Sequence, residues 1–455
     1  MVEATEPEPG RRVHLISLGC PKNRVDSEVM VGKLQSGPFE LVDDPEHADV
    51  IVVNTCSFIQ SATEESVDTV LRMSRYKSDG SCRKLVVTGC MVQRYGRALE
   101  GELPEVDHFL GTGEYHRIDA VLLGREDGVA RSYIDTPLYL ADDVVPRVNS
   151  WAPHSAYLKI SEGCDRRCAF CIIPKLRGVM RSRTIPSLVN EARRLAEQGV
   201  VELNLVSQDS TVYGRDLHDG SGLGPLLRAL ARVDGIRWIR LHYLYPHGIP
   251  DAVLRAIAEE EKVVPYVDMP LQHASPRMLR AMRRGVTPDG QARVIERIRA
   301  AVPNVALRTT FIVGFPGETD ADYEQLRDFV QAQRFDHLGV FTYFQEDGTA
   351  AAELDGQLPD AVKQARQQDI LSIQKRVSRE RLKQLVGVPV EVLVDGVSDE
   401  SEWILRGRMA TQAPDVDGQV YLLSAPAGVR AGQFVNAKIT KASAYDLVAD
   451  LGATS

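Results

Sequence analysis

Short apolar runs rich in β-branched residues alternate with helical stretches over the first quarter of the chain. Residues 13–17, 50–53 and 84–87 have the continuous apolar character of strands that are buried on both faces. Between these runs, residues 27–34 and 64–73 carry apolar positions at helical spacing. This alternation predicts an open parallel α/β sheet, which we assign to residues 11–130.

A second alternation of strands and helices occupies the middle of the chain. A helix predicted over 187–198 ends at Gly199, and apolar strand patterns follow at 200–207, 238–244, 263–268, 305–313 and 337–344. These strands and their intervening helices predict a partial (β/α)6 barrel over residues 154–386. Residues 131–153 are rich in Pro and Asp and show no periodicity, so we interpret them as a linker.

The last segment changes to a period of two residues. Val390, Val392 and Val394 alternate with other residues, and Asp-Gly pairs at 395–396 and 417–418 signal turns. A helix predicted over 359–386 precedes this segment and ends at Gly387, a residue suited to a C-terminal cap. Residues 387–455 are therefore predicted to form a small antiparallel β-barrel.

Length and charge agree with a soluble protein of about three domains, since the chain has 455 residues. No apolar run approaches the roughly 18 residues of a membrane span, so we expect no membrane association. Residues 1–12 form an acidic tail without the apolar core of a secretory signal, which favours a cytoplasmic location. The net charge of −9 argues against direct nucleic-acid binding, because proteins that track phosphates carry a basic surplus.

Seven cysteines in a reducing compartment point to metal or redox chemistry, and an odd number cannot pair completely. Cys164, Cys168 and Cys171 form a Cys-x-x-x-Cys-x-x-Cys loop. Three thiolates so close in sequence can reach three irons of a [4Fe–4S] cluster and leave the fourth iron without a protein ligand. The alternatives are a zinc site without a nearby fourth ligand and a chance grouping.

Three further cysteines each follow one predicted N-terminal strand: Cys20, Cys56 and Cys90. In an open α/β sheet, ligands bind beyond the carboxyl ends of the strands, so these thiols are expected to meet at one edge and to hold a second cluster. The alternative is that they are three ordinary buried cysteines. Cys82 lies just before a strand and is interpreted as an unligated thiol.

The cysteine loop resembles that of the radical-SAM superfamily, and its combination with the second trio is similar to the methylthiotransferases. The resemblance covers nearly the whole chain and implies a C-terminal TRAM domain. The runs SLGCPKN at 17–23, DSE at 26–28, ISEGCD at 160–165 and IIP at 172–174 most resemble the branch that modifies an aspartate of the twelfth small-subunit ribosomal protein. The tRNA-modifying branch typically has Gln-Met-Asn where this chain has Pro21-Lys22-Asn23.

This resemblance implies two clusters with different tasks. At the cluster held by Cys164, Cys168 and Cys171, an electron would cleave S-adenosylmethionine, and the resulting 5′-deoxyadenosyl radical would take hydrogen from the aspartate β-carbon. The cluster on the first trio would present a methylated sulfur to the carbon radical. The expected partners are therefore the basic ribosomal protein and a low-potential electron donor.

The resemblance also suggests contacts to S-adenosylmethionine. Phe170 occupies the position where the superfamily often places an aromatic ring against the adenine, and a core-packing Phe is the alternative. Gln208 follows a predicted strand and is a candidate for the methionine end, although a turn residue would look the same. Gly314 and Gly317 belong to a glycine turn similar to the one beside the adenosyl group, and such a turn is also an ordinary loop signal.

Two other functions fit parts of this pattern. A tRNA adenosine methylthiotransferase would use the same cofactors, but residues 386–455 carry nine carboxylates against five Lys and Arg, a net charge of −4. An acidic small barrel suits a basic protein better than a phosphate backbone. A non-enzymatic carrier with two clusters would usually close each cluster with four cysteines, whereas each group here has three.

Overall fold

The computed structural model describes residues 11–125 and 130–452. Most of the acidic tail predicted at the N-terminus lies outside these residues. The chain divides into two compact units: the first contains Met1–Ser150, Ser161–Arg166 and Cys171–Arg183, and the second contains Trp151–Ile160, Arg167–Phe170 and Thr184–Ser455. Among the described residues, every helix is too short or too polar to cross a membrane.

The first unit is built on a six-stranded sheet in which all neighbouring strands are parallel. The order is β2-β1-β3-β4-β5-β6. Two clusters of apolar side chains, one containing Val52 and Val86 and the other containing Ile51 and Val87, form its core. The strands are β1 Arg11–Ser17, β2 Phe39–Leu41, β3 Val50–Thr55, β4 Lys84–Gly89, β5 His108–Leu110 and β6 Ser132–Tyr133.

Six helices accompany this sheet: α1 Pro21–Gln35, α2 Gln60–Ser74, α3 Tyr76–Asp79, α4 Cys90–Tyr95, α5 Leu99–Glu102 and α6 Ile118–Leu122. The same unit holds the short antiparallel pair of β8 (Ser161–Glu162) and β9 (Arg181–Ser182), and the helix α7 (Ile173–Arg177) lies between them in sequence. The side chains of Ile172 and Leu176 pack against Cys90.

The second unit contains a six-stranded sheet, again parallel throughout, with the order β14-β13-β12-β11-β10-β7. Its largest apolar cluster fills the space between the strands and the surrounding helices. The strands are β7 Ser155–Lys159, β10 Glu202–Val206, β11 Trp238–Leu241, β12 Val263–Asp268, β13 Ala306–Val313 and β14 His337–Thr342. The helices are α8 Ile185–Glu197, α9 Leu223–Ala231, α10 Asp251–Glu259, α11 Pro276–Ala281, α12 Pro288–Ala301, α13 Asp320–Gln333 and α14 Asp360–Lys383.

A closed five-stranded barrel follows α14 within the second unit, with the order β15-β16-β17-β19-β18. Its neighbours are antiparallel except for the parallel pair β17 and β19. The strands are β15 Pro389–Ser398, β16 Ser401–Arg408, β17 Val420–Leu423, β18 Phe434–Ala442 and β19 Leu447–Asp450. The alternating valines of β15 confirm the predicted period, because Val392 and Val394 are fully buried in the barrel core.

Buried ion pairs fasten this barrel to the six-stranded sheet of the same unit. Glu202, at the start of β10, accepts hydrogen bonds from Arg408 of β16 at 2.8 and 3.1 Å. Arg240 of β11 also donates to Glu202 at 3.1 and 3.2 Å, and the side chains of Glu202 and Arg240 are completely buried. A second contact joins Tyr266 of β12 to Asp417 at 2.7 Å. Buried hydrogen bonds and ion pairs therefore connect the barrel to the sheet.

The predicted fold class is confirmed in each part of the chain. The strands predicted from apolar runs all form, and most of their bounds differ by only a few residues. The short strands β2, β5 and β6 and the pair β8–β9 were not predicted, because two or three residues carry too little periodicity to detect.

Candidate cluster and cofactor sites

Three cysteines of the first unit follow three adjacent parallel strands. Cys20 comes after β1 and forms the N-cap of α1, Cys56 directly follows β3, and Cys90 directly follows β4 and begins α4. The strands β1, β3 and β4 are neighbours, and their last residues are in register. The structure thus brings the three thiols to the carboxyl edge of the sheet, as expected for a ligand site in an α/β fold.

Glycine makes the close approach of these segments possible. Gly19 has φ +89°, and a Cβ atom there would lie 2.6 Å from Cys56 Cβ and 2.9 Å from its Sγ. Gly89 has φ +97°, and its Cβ would lie 2.4 Å from the Oδ1 atom of Asn54. Any other residue would clash at either position, so the two Gly-Cys pairs of the sequence have a steric reason.

Burial favours the protonated form of two thiols of the first trio, those of Cys56 and Cys90. It raises the pKa of Cys90 to about 12 and also raises the pKa of Cys56. The nearby charge of Arg177 opposes both shifts. Since iron binds the thiolate, cluster assembly at this edge must release protons.

A buried arginine lies beside Cys90. Arg177 is 2% exposed and donates to Asp26 at 2.5 Å and to Glu162 at 3.2 Å. Its other terminal nitrogen lies 3.1 Å from the Asn23 oxygen and 3.7 Å from Cys90 Sγ. A planar guanidinium with several fixed partners is well suited to hold a sulfur ligand in one orientation.

The Cys-x-x-x-Cys-x-x-Cys loop contributes residues to both units, and each part has its own anchors. In the first unit, the Cys164 amide donates to the Gly178 carbonyl at 3.0 Å, and Gly163 has φ +82°. In the second unit, Cys168 Sγ accepts from Arg284 Nη1 at 3.4 Å, and the following amide, that of Ala169, donates to the Met282 carbonyl at 3.0 Å. Cys168 and Cys171 are half-buried.

The residues of the first trio fit an iron–sulfur cluster better than a single ion. Over residues 11–125 and 130–452, no group of three or more His, Cys, Asp and Glu side chains could hold one metal ion. The ligands of a [4Fe–4S] cluster bind different irons, so they need not converge on one point. Three thiols within electrostatic range of one another, with glycine where the backbone turns, meet that looser requirement.

Three family models match successive parts of the chain. Residues 12–111 match the Uncharacterized protein family UPF0004, residues 158–330 match the Radical SAM superfamily, and residues 386–451 match the TRAM domain. The cysteine trios therefore fall in the first and second matched regions.

The similar curated proteins agree in name. "Ribosomal protein uS12 methylthiotransferase RimO" of Anaeromyxobacter sp. (strain K) is 53% identical over 96% of this chain and 92% of its own length. The proteins of that name from Myxococcus xanthus and Geobacter sulfurreducens are 49% and 46% identical, over 98% and 97% of this chain and 92% and 98% of their own lengths. The chain belongs to the RimO methylthiotransferase family.

Solved structures with much lower identity share the fold. The radical S-adenosylmethionine methyltransferase TsrM from Kitasatospora setae aligns with a TM-score of 0.56 at 15% identity, covering 83% of this chain and 79% of its own. OxsB, a cobalamin-dependent S-adenosylmethionine radical enzyme, aligns with a TM-score of 0.51 at 14% identity, over 80% of this chain and 56% of its own. Membership of the RimO family, together with the radical-SAM region, gives this chain S-adenosylmethionine and iron–sulfur clusters as cofactors.

The residues predicted to contact S-adenosylmethionine lie at different places in the second unit. Phe170 packs at the edge of an apolar cluster that includes Phe315 and Tyr343, and Gln208 follows β10. Gly314 has φ +73°, and a Cβ there would lie 2.3 Å from Cγ of Lys363 on α14. Packing against α14 is therefore a sufficient reason for glycine at 314, and the cofactor contacts stay predictions.

Several polar residues near the cysteines and elsewhere in the two units are buried, which the sequence did not predict. Arg177 and Arg183, which belong to a basic stretch around the cysteine loop, are buried. Asn23 and Asp26 lie on the buried side of α1, within the runs SLGCPKN and DSE that carry the family resemblance. His273 is an interior residue, since its Nε2 lies 3.2 Å from Glu318 and its Nδ1 accepts from the Ser275 amide.

Proposed function

We propose that this chain transfers a methylthio group to the β-carbon of an aspartate in ribosomal protein uS12, by radical S-adenosylmethionine chemistry. The observation that carries this proposal is the trio of thiols at the carboxyl edge of β1, β3 and β4, in a chain whose relatives are named uS12 methylthiotransferases. A two-cluster electron carrier would usually close each cluster with four cysteines, and a simple binding module would leave all six cysteines without a purpose.

Six cysteines would hold the two clusters: Cys20, Cys56 and Cys90 in one, and Cys164, Cys168 and Cys171 in the other. When bound, the clusters and S-adenosylmethionine supply the hydrogen-abstracting radical and the sulfur that is transferred. With three protein ligands for each cluster, the chain leaves one iron open at each site for an exchangeable ligand. Phe170, Gln208, Gly314 and Gly317 are proposed to lie along bound S-adenosylmethionine.

The residues around the first trio keep the sulfur chemistry away from water. Cys56 and Cys90 are 7% and 5% exposed, and the apolar side chains of Ile172 and Leu176 cover Cys90. Arg177 orients Cys90 while Asp26 and Glu162 hold the guanidinium in place. A fixed, dry environment lowers the number of competing reactions that a reactive carbon centre can undergo.

The acidic C-terminal barrel supports a protein substrate. Its net charge of −4 would attract a basic ribosomal protein and repel a phosphate backbone. We therefore infer that tRNA is not the substrate. We also propose that the protein works in the cytoplasm and that a low-potential electron donor reduces it. The domain limits that we propose are residues 11–130, 154–386 and 387–455, with a linker at 131–153.

The direct test is intact-mass analysis of the two candidate substrates. The anaerobically reconstituted protein is incubated with S-adenosylmethionine, dithionite and either purified uS12 or total tRNA. We expect uS12 to gain the mass of one methylthio group and tRNA to remain unchanged. Modification of tRNA alone would replace the proposed substrate, and 5′-deoxyadenosine without modification of either would leave the transfer unsupported.

A further inference from the structure

A basic groove of about 390 Å³ opens on the surface of the second unit, between the segments that follow β11 and β12. Its lining includes His247, Arg280 on α11, Arg293 on α12 and the backbone of Gly285. No carboxylate belongs to the lining, and the remaining residues are apolar or small. The groove therefore presents positive charge without an internal counterion.

The two arginines of the groove have their charge available for a partner. Both are exposed, and within the part of the chain that the structure describes, neither guanidinium makes a hydrogen bond or an ion pair. Arg237, another exposed arginine of this unit, instead pairs with Glu391 at 2.8 Å. Arg283, exposed at the end of α11, adds a further positive charge beside the groove.

A short, rigid connection leads from this groove to Cys168. Gly285 lines the groove, and the residue before it, Arg284, is 5% exposed and lies 3.4 Å from Cys168 Sγ through Nη1. Arg284 also donates to the Pro270 carbonyl at 2.7 Å, and its guanidinium lies 4.2 Å from the Tyr245 ring centroid. The Met282 carbonyl accepts from the amide of Ala169, next to Cys168. The wall of the groove is thus bonded to the cysteine loop at two points.

We propose that this groove is the docking surface for an acidic, low-potential electron-transfer protein, a proposal that rests on the function proposed above. In the step concerned, the reduced partner loses one electron, and the cluster held by Cys164, Cys168 and Cys171 gains it. Attraction between opposite charges speeds such transient encounters by about tenfold to a thousandfold. A partner seated at Gly285 would lie next in sequence to Arg284, which contacts Cys168.

An RNA partner explains the groove less well. A protein that binds a phosphate backbone typically makes about 6 to 10 phosphate contacts, and this groove offers two arginines and a histidine. A small acidic redox protein needs only a local patch of opposite charge close to the electron acceptor.

The test uses the reconstituted holoenzyme with the double reversal Arg280→Glu and Arg293→Glu. The matched control is Arg193→Glu with Arg194→Glu on α8, a helix in the connection from β7 to β10. Bacterial flavodoxin, reduced to its hydroquinone, is the probe. Binding is measured by calorimetry, and 5′-deoxyadenosine formation is followed with flavodoxin or with dithionite, at about 0.01 M and 1 M salt, where the Debye length is about 30 and 3 Å.

We expect the groove variant to lose at least tenfold in both flavodoxin affinity and flavodoxin-dependent rate at low salt, with the difference shrinking at high salt. Its dithionite-dependent rate and the behaviour of the control should match the unaltered protein. Arg280→Gln with Arg293→Gln should show a smaller loss in the same direction, which guards against misfolding of the reversal.

Unchanged flavodoxin affinity in the groove variant would overturn the docking surface. A loss of binding to ribosomal RNA, measured by the same calorimetry, with flavodoxin binding retained would also overturn it. An equal loss with flavodoxin and dithionite would also overturn it, because the arginines would then act on the cluster itself. Failure of the proposed function is distinguishable: the unaltered protein with both clusters would make no 5′-deoxyadenosine with dithionite, while calorimetry could still report flavodoxin binding.

Discussion

Replacement of Glu202 by Gln tests how the C-terminal barrel is fastened to the six-stranded sheet. The change keeps the shape of the side chain and removes the charge that Arg240 and Arg408 share. Glu202 accepts bonds from both arginines and from the Ser155 hydroxyl, at distances of 2.8 to 3.2 Å, and all of this lies in the interior. In the variant, Asp395 would be left as the carboxylate that pairs with Arg408.

The expected loss is large because two guanidinium groups lose their shared counterion inside the protein. Removing one partner of a buried ion pair costs roughly 3–5 kcal/mol. This is a substantial part of the free energy of unfolding of a typical protein, which is roughly 5–15 kcal/mol. For a unit of this size, about 2–4 °C is lost for each kcal/mol, so the unfolding midpoint should fall by on the order of 10 °C. The assay is thermal unfolding followed by far-UV circular dichroism under anaerobic conditions.

Glu391→Gln supplies the matched control. Glu391 also pairs with an arginine of the sheet, Arg237, at 2.8 Å, but both side chains are about half exposed, at 44% and 50%. An exposed pair contributes about 0–1 kcal/mol, so the control should unfold within a few degrees of the unaltered protein. Equal midpoints for Glu202→Gln and Glu391→Gln would refute the reasoning that this buried network holds the barrel.

The pH dependence of stability, compared between the unaltered protein and Glu202→Gln, provides a second readout. Burial raises the pKa of Glu202, but Arg408 and Arg240 outweigh this effect and hold the pKa well below its usual value of 4.5. A carboxylate whose pKa is lowered by folding contributes its full stabilisation when the pH is above the pKa of the unfolded state. That contribution is lost as the pH falls towards and through the pKa of the folded state. The stability difference between the unaltered protein and Glu202→Gln should therefore be constant near pH 7 and shrink below about pH 4.5.

Three further predictions concern the cysteines, Arg177 and the glycine turn. Cys56→Ala should retain reductive cleavage of S-adenosylmethionine and lose methylthio transfer, whereas Cys164→Ala should lose both activities. Mass spectrometry of the products measures this, and equal losses in both variants would contradict separate tasks for the two clusters. Arg177→Gln removes a cation that bonds to two buried carboxylates, so the first unit should lose roughly 3–5 kcal/mol, seen as faster amide hydrogen exchange in α1; unchanged exchange contradicts this. Gly314→Ala should destabilise more than Gly317→Ala in thermal unfolding, because both have positive φ but only Gly314 meets a neighbour closer than 3 Å; equal effects would show that backbone strain alone matters.

The sequence predicted those parts of the structure that depend on periodicity and chain order. Apolar runs located the strands, and the rule that ligands collect at the carboxyl ends of parallel strands predicted that Cys20, Cys56 and Cys90 lie together. Gly19 and Gly89, which directly precede Cys20 and Cys90, have positive φ angles that favour glycine at these two turns.

Long-range pairing of polar residues could not be predicted in the same way. Arg177 lies 151 positions from Asp26, and Arg408 lies 206 positions from Glu202. Nothing in the local sequence distinguishes such an arginine from one on a solvated face, because its burial is decided by the docking of distant elements. Short strands such as β8 and β9 were missed for a related reason, since their pairing depends on the cysteine loop between them.

The most direct measurement of the central claim is the iron and sulfide content of anaerobically reconstituted protein, compared with a variant in which Cys20, Cys56 and Cys90 are all Ala. Two clusters on two cysteine trios require roughly eight iron ions per chain in the unaltered protein and roughly four in the variant, with the [4Fe–4S] signature retained in both. Zinc in place of iron, about four irons in the unaltered protein, or about eight in the variant would contradict the assignment of a second cluster to the sheet edge.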